Sequence, residues 1–124
     1  MEHTSLMPFL TSRFQVTFEI DENNLLSNNI IKLTPTYEKG SVALEIHLRD
    51  CVSKLLPQLL IDLSSKKHST ISLKQFDGDA NVLRTTIYNH CEIDSITHYG
   101  LNYSDSGHFP SWIIKAHTRN ITIE

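Results

Sequence analysis

Two stretches of strict alternation between apolar and polar residues constrain the fold of this chain more than any other feature. In Ser41–Arg49 the even-numbered positions are aliphatic, and the odd-numbered ones include Glu45 and His47. Residues 13–20 alternate in the same way, with Phe14 on the apolar side and Gln15 on the polar side. Because successive side chains of a β-strand point to opposite faces, each stretch is predicted to be a half-buried strand whose second face meets water or a partner.

The period of the pattern changes after Asp50. Six apolar residues then recur at the spacing of one helical stripe: Val52, Leu55, Leu56, Leu59, Leu60 and Leu63. Asp50 is predicted to stand at the start of this helix, where a carboxylate suits the free backbone N–H groups and the helix dipole. Pro57 falls inside the stripe, and a proline in a helix interior costs about 3 kcal/mol. The sequence therefore predicts one kinked helix or two short ones.

The rest of the chain is predicted to consist of strands and turns. Strands are expected at residues 30–33, 70–76, 82–93, 96–103 and near 112–123. Pro35 is expected to break the first of these strands, and turns are expected at 21–24, 37–40, 77–81 and 104–110. Six to eight short strands around one helix indicate a mostly β (α+β) protein, and 124 residues fit a single domain over residues 1–124.

Residues 82–93 are predicted to present one apolar and one polar side. Ile87, Cys91 and Ile93 fall on the apolar side. The polar side carries Thr86, Tyr88, His90 and Glu92.

The composition excludes several classes of protein. Eleven Lys and Arg against 14 Asp and Glu give a net charge of −3, which is awkward for a protein that grips DNA or anionic lipid through a basic surface. No apolar run approaches the roughly 20 residues of a membrane-spanning helix, and we expect no secretory signal. Cys51 and Cys91 are too few for a disulfide framework, so a small soluble cytosolic domain with reduced thiols is expected.

The patterns that could indicate catalysis or metal binding each fail a specific test. The seven histidines include no pair at the i, i+4 spacing of a zinc protease. His90 and Glu92 form the H-x-E fragment of zinc deaminases, but the required P-C-x-x-C does not follow. A Cys91–His90 dyad is excluded because neighbours in a strand point to opposite faces. Residues 77–81 begin like a calcium loop, but Val82 and Tyr88 occupy the positions that need Gly and a carboxylate. We therefore predict no catalytic residue, no metal site and no cofactor.

The order of the segments carries a resemblance. An early alternating strand at residues 13–20 is followed, beyond the helix, by segments 71–77, 84–93 and 101–106. In this order and spacing the chain resembles the tail tube proteins of contractile-tailed bacteriophages and their baseplate tube-initiator relatives. Six residues fall on positions typical of that family: Cys91, Ile96, Leu101, Tyr103, Ser104 and Asp105. Asp94 stands where the family commonly has proline, and residues 108–110 replace an acidic stretch.

The resemblance implies a structural protein that is not an enzyme, folded as a small β-barrel or sandwich of antiparallel strands with one flanking α-helix. Six copies would form a ring, and rings would stack with tube or baseplate hub proteins inside the tail sheath. Genomic DNA and the tape-measure protein would pass through the lumen, and a lining without phosphate-binding Lys and Arg would keep DNA moving. The candidates for the lumen or the subunit interface are Thr86, Tyr88, His90 and Glu92. The expected location is the phage tail of the virion, after assembly in the host cytoplasm, without membrane contact.

Three points stay open at the level of sequence. The subunit could belong to the main tube or to the ring that joins hub and tube. A tube protein of a type VI secretion system, with the same ring architecture and other passengers, is one alternative. A small β-barrel enzyme or ligand-binding protein with a pocket under the helix is another, and a deep cavity with converging titratable groups would favour it.

Overall fold

A computed structural model describes residues 13–19, 24–101 and 110–124. These residues form seven strands and two helices. The elements are β1 (Phe14–Phe18), α1 (Asn24–Asn29), β2 (Ile30–Glu38), β3 (Ser41–Arg49), α2 (Leu55–Ser64), β4 (Ser69–Phe76), β5 (Val82–Tyr99), β6 (Ser111–Thr118) and β7 (Asn120–Ile123). No helix within the described ranges is long and apolar enough to cross a membrane.

The strands form one antiparallel sheet that curls into a half-barrel, in the order β1-β4-β5-β6-β3-β2, with β7 paired to β5. The long strand β5 takes part in two half-sheets. Its residues 82–91 pair with β4 and β7, and together with β1 these strands form the first half-sheet. Residues 92–99 of β5 pair with β6, which continues through β3 to β2 as the second half-sheet. The expected fold class, a mostly β protein with a flanking helix, is confirmed.

One hydrophobic core lies between the half-sheets and the helices. The even-numbered residues of β3, from Val42 to Leu48, are at most 2% exposed, so the predicted alternation of this strand is confirmed. Val16 and Phe18 of β1 are buried in the same core. Burial of a side chain of this size contributes roughly 1.5–3 kcal/mol, so these strands supply a large part of the stability.

Helix α2 starts later than the apolar stripe predicts. Leu56, Leu60 and Leu63 are buried, but Val52 is fully exposed and precedes the helix. Pro57 is the third residue of the helix, and its missing N–H would have had no helical partner in the first turn. The helix therefore continues through Pro57, and the alternative of two short helices is wrong. Asp50 does not cap it; Ser53 Oγ instead accepts a hydrogen bond from the Leu55 N–H at 3.1 Å.

Helix α1 was missed by the sequence patterns, which assigned Asn24 to a turn. Residues 20–23 lie outside the described part of the chain. The Ser27 hydroxyl in this helix donates to the Val16 carbonyl at 2.8 Å. The Arg13 carbonyl and the Glu19 N–H form hydrogen bonds with the β4 side of the sheet. Because the backbone groups of successive strand residues point to opposite sides, the Val16 carbonyl points away from β4. Helix α1 thus covers part of the outer edge of β1.

Strand β2 does not end at Pro35 but continues to Glu38. Lys39 and Gly40, with φ of 39° and 83°, form the two-residue turn to β3. Such a turn closes on a hydrogen-bonded pair, here Glu38 and Ser41. Because hydrogen-bonded and non-hydrogen-bonded pairs alternate along two antiparallel strands, Pro35, three residues before Glu38, belongs to a non-hydrogen-bonded pair. The proline nitrogen therefore points away from β3. An edge strand tolerates a proline in this orientation because no hydrogen bond of the sheet is lost.

The predictions for the C-terminal strands are confirmed in part. Strand β4 and the turn at residues 77–81 are present, with Asp77 Oδ1 accepting hydrogen bonds from two backbone N–H groups. The predicted strands at 82–93 and 96–103 are one strand as far as Tyr99. The last predicted strand is interrupted at Arg119, which separates β6 from β7. Residues 102–109 lie outside the described ranges, and with them most of the predicted turn at 104–110.

Candidate functional site

The second half-sheet has one face whose side chains are exposed or half-exposed throughout. It is the face opposite the buried side of β3. Strand pairing arranges its residues in three rows that run across β2, β3, β6 and β5. We call this surface the polar face; its rows are Thr36, Ala43, His117 and Glu92, then Thr34, Glu45, Lys115 and Ser95, then Lys32, His47, Ile113 and Thr97.

Opposite charges are interspersed on the polar face. His47 Nε2 lies 2.8 Å from Glu45 Oε2, and this hydrogen bond is the main cause that lowers the pKa of the Glu45 carboxyl. Lys32 and Lys115 lower the pKa of Glu45 further through their charge. The polar face therefore offers neither a run of cations that would hold a phosphate backbone nor a run of anions.

His117 joins two carboxylates of β5. Its Nε2 lies 3.0 Å from Glu92 Oε2, and its Nδ1 lies 2.8 Å from Asp94 Oδ1. The hydrogen bond with Asp94, followed by the charges of both carboxylates, raises the pKa of His117. Asp94 reaches this position because it is the extra residue of a β-bulge between Ile93 and Ser95.

The second half-sheet has two unpaired edges among the described residues. Strand β2 pairs with β3 alone, and its outer edge carries the half-exposed or exposed residues Ile31 and Tyr37. Residues 92–99 of β5 pair with β6 on one side only, because β4 begins at Ser69 opposite Cys91 and extends no further. Unpaired backbone N–H and C=O groups along a strand are a template for pairing with another chain.

The four residues predicted for the polar side of β5 do not share one face. Thr86 and Tyr88 are 4% and 1% exposed and lie in the core, so their predicted position on an accessible face is wrong. The physical reason is a second bulge, in which four residues of β5, Tyr88 to Cys91, lie opposite three residues of β4, Ser69 to Ile71. His90, within this bulge, adopts a left-handed φ of 50°. Beyond this bulge the alternation is reversed, and His90 and Glu92 are exposed.

His90 and Glu92 contribute to an open cleft of about 390 Å³ at the point where β5 passes between the half-sheets. The cleft is lined by His90, Glu92, His117, Thr118, Arg119 and Asn120. No group of three His, Cys, Asp or Glu side chains in the described ranges is arranged to hold a metal ion. Whether His90 and Glu92 face a lumen remains a prediction.

Asp50 belongs to a second cluster, at the end of β3. Its Oδ2 lies 2.8 Å from His98 Nε2, and the His98 ring stacks on Trp112 at 3.9 Å between centroids. Partial burial raises the pKa of the Asp50 carboxyl, but hydrogen bonds, including those from the Cys51 N–H and His98, hold it below its usual value. This cluster fixes the segment before α2 to β5 and β6.

Sequence patterns missed Asp94, His98 and His117 as members of these clusters. The alternation near residue 114 places Lys115 and His117 on one side of a strand, which was an available signal for His117. The position of Asp94 depends on a bulge, and that of His98 on a strand pairing with β6. Neither is encoded in a local period.

No family model matches the sequence, and no curated protein matches it. Solved structures do match. A chain in the structure of the anti-feeding prophage cap, the AFP tube terminating cap, is 13% identical with a TM-score of 0.64, over 100% of this chain and 95% of that chain. A chain in the PVC sheath-tube complex of an extracellular contractile injection system is 13% identical with a TM-score of 0.64, over 96% and 93%. Hcp1 from Flavobacterium johnsoniae is 11% identical with a TM-score of 0.57, over 90% and 94%.

The fold is that of the chains in these three structures. At such low identity the likeness concerns the fold, and it extends over nearly the whole of each chain. The fold implied by the resemblance is therefore supported.

Proposed function

We propose that this protein is a structural subunit of the tube of a contractile injection apparatus, in which identical copies form a ring around a channel. The observation that carries the proposal is the fold likeness to the cap and sheath-tube structures over nearly the full length of both chains. A structural role, with no catalytic step, follows from this proposal.

The unpaired edges of the second half-sheet support a closed ring. Its four strands alternate in direction, so β2 runs opposite to residues 92–99 of β5. In a ring whose copies all point the same way, β2 of one copy then meets β5 of the next copy in antiparallel orientation. Each joint would cover one edge of each copy, and closure would leave none open.

The polar face supports a hydrated channel lining. When four-stranded sheets join into a barrel, one face of every strand points into the lumen. The buried face of β3 is committed to the core of the subunit, so the polar face is left for the lumen. Its hydroxyl groups and balanced charges would let a polyanion pass without binding it.

The finer assignment is a ring of six copies in the tail of a contractile-tailed phage, either in the tube or next to the baseplate. Its partners would be further tube or hub proteins, the sheath, the tape-measure protein, and DNA in transit. Glu92, on the edge of the polar face, would lie at the lumen, with His90 beside it in the cleft. The net charge of −3 agrees with a conduit that does not retain DNA.

A type VI secretion tube is the second candidate, favoured by the likeness to Hcp1. The two candidates share the ring and differ in what passes through it. Neighbouring genes separate them: capsid and tape-measure genes favour the phage tail, and genes for a secretion-sheath ATPase favour the secretion system.

The ring is tested by negative-stain electron microscopy and sedimentation-equilibrium centrifugation of the purified chain over a wide range of concentration. We expect rings with a central hole and a mass of six subunits, alone or in stacks. A protein that remains a compact monomer at the highest concentration contradicts the proposal. A stable dimer without a hole would contradict it equally.

A further inference from the structure

We propose that the two unpaired edges of the second half-sheet recognise each other by charge: the edge that carries Glu92 and Asp94 in one copy faces the edge that carries Lys32 and Lys39 in the next. The partner is thus a second copy of this chain. The inference rests on the proposed ring and goes beyond it, since it names the side chains that select the joint.

The β5 edge is acidic and accessible. Glu92 and Asp94 side chains are 55% and 49% exposed, and both stand at the start of the segment that lacks a partner strand. Besides its contact with His117, Glu92 has its Oε1 3.7 Å from His68 Nε2. Arg119 lines the neighbouring cleft without an ion pair to another described residue. His117 contacts both carboxylates from the β6 side, His68 approaches Glu92 from the β4 side, and about half of each carboxylate side chain remains exposed.

The β2 edge carries the opposite charge. Lys32 lies on the polar face, and Lys39 lies at the tip of the β2–β3 turn. Both are exposed, and neither forms an ion pair with another described residue. Glu38 is the acidic residue of this edge, so cations outnumber anions there.

Charge complementarity of this kind selects partners more than it adds affinity, because like charges brought together at a joint are strongly unfavourable. It would distinguish the productive contact, β2 with β5, from a contact between two β5 edges. In that second contact four carboxylates of two copies would meet. Two β5 edges also fail to build a closed ring of copies with the same orientation.

The test uses charge reversal on each edge separately. One variant carries Glu92→Lys with Asp94→Lys, and the other carries Lys32→Glu with Lys39→Asp; aspartate suits the left-handed backbone of residue 39. The matched control, Lys54→Glu with Lys74→Glu, changes the same number of lysines outside both edges. Circular dichroism and a denaturation curve verify that each variant is folded.

We expect each edge variant alone to need at least about tenfold more protein than the wild type to form rings, because its own edges then repel. A 1:1 mixture of the two should regain rings, since the reversed edges are again complementary. In such a mixed ring the two edge variants alternate. An even number of copies, such as six, closes the ring without placing two copies of the same variant side by side. The control pair should assemble like the wild type, and the neutral variant Glu92→Gln with Asp94→Asn should fall between.

The outcomes separate this inference from the proposed function. If the wild type forms rings and both edge variants form them at the same protein concentration, the charge recognition is wrong and the proposed ring is still supported. Edge variants that fail alone and also fail as a mixture overturn it too, even if both are folded. A wild type that forms no ring overturns the proposed function and this inference together.

Discussion

The two parts of β5 have the same strand geometry and opposite surroundings. Residues 82–91 of the strand pair with β4, residues 86–89 also pair with β7 on the other side, and Thr86 and Tyr88 are buried. From Glu92 onward it has one neighbour and exposes carboxylates. The difference shows that polar residues of one strand have two environments: Thr86 and Tyr88, before the bulge, are part of the core, and Glu92 and Asp94, after it, are exposed.

Tyr88 illustrates what the first part requires. Its ring is fully buried, and its hydroxyl lies 3.3 Å from the hydroxyl of Tyr37 on β2. Burial, aided by this contact, raises the pKa of Tyr88, so the group stays neutral in the core. A buried phenol with a partner is stable, whereas an ionised one would be costly.

The largest expected effect comes from removing this ring. Tyr88→Ala should lower the free energy of unfolding by about 3–5 kcal/mol, because it leaves a cavity the size of an aromatic side chain. Tyr99→Ala, at the exposed end of the same strand, should lower it by no more than about 1 kcal/mol. Urea denaturation of both variants measures the contrast; equal losses would mean that the two parts of β5 do not differ in this way.

The bulge at His90 is tested next, because it separates the two parts. His90→Val should destabilise the fold by about 1–2 kcal/mol, since a β-branched residue disfavours the left-handed backbone. His90→Gly should cost less than His90→Val, because glycine adopts this conformation freely. Thermal denaturation of the pair is the measurement, and a valine variant as stable as the glycine variant would contradict the assigned backbone.

Ser69 stands opposite Cys91 at the same boundary, and its hydroxyl is buried without a hydrogen-bond partner among the described residues. Ser69→Ala should therefore leave stability unchanged or raise it by up to about 1 kcal/mol, because an unsatisfied buried hydroxyl is unfavourable. Ser72→Ala on the same strand, where the side chain is half-buried, serves as the control. A clear loss of stability in Ser69→Ala alone would show that this hydroxyl has a partner.

The smallest effect concerns His117 on the exposed part. Because the folded pKa of His117 is raised, its contribution to stability is fully present below the unfolded value of about 6.5 and is lost as pH rises through the folded value. Exposure of the side chain to solvent keeps the effect small and sensitive to salt. His117→Gln should flatten the pH dependence of the urea midpoint above about pH 6.5, and an unchanged slope would contradict the role of the two carboxylates.

Local patterns predicted those elements whose environment repeats along the strand. The alternation in β3 and the buried leucines of α2 follow from periods of 2 and 3.6, since one side of each element faces the core. The start of α2 and the continuation of β2 through Pro35 were predicted wrongly. In both cases the outcome depends on whether the backbone nitrogen of the proline would have taken part in a helix or sheet hydrogen bond. The pattern of apolar and polar residues does not show this.

The sequence by itself determined a mostly β fold with a leucine-rich helix and a net charge of −3. The tertiary structure decided which polar residues are accessible. A single extra residue in a strand exchanges its two faces, and the bulges at His90 and Asp94 become apparent only when β5 is paired with β4 and β6. For the same reason the open edges and the meeting of His117 with two carboxylates depend on which strands are neighbours, a matter of contacts between residues far apart in the chain.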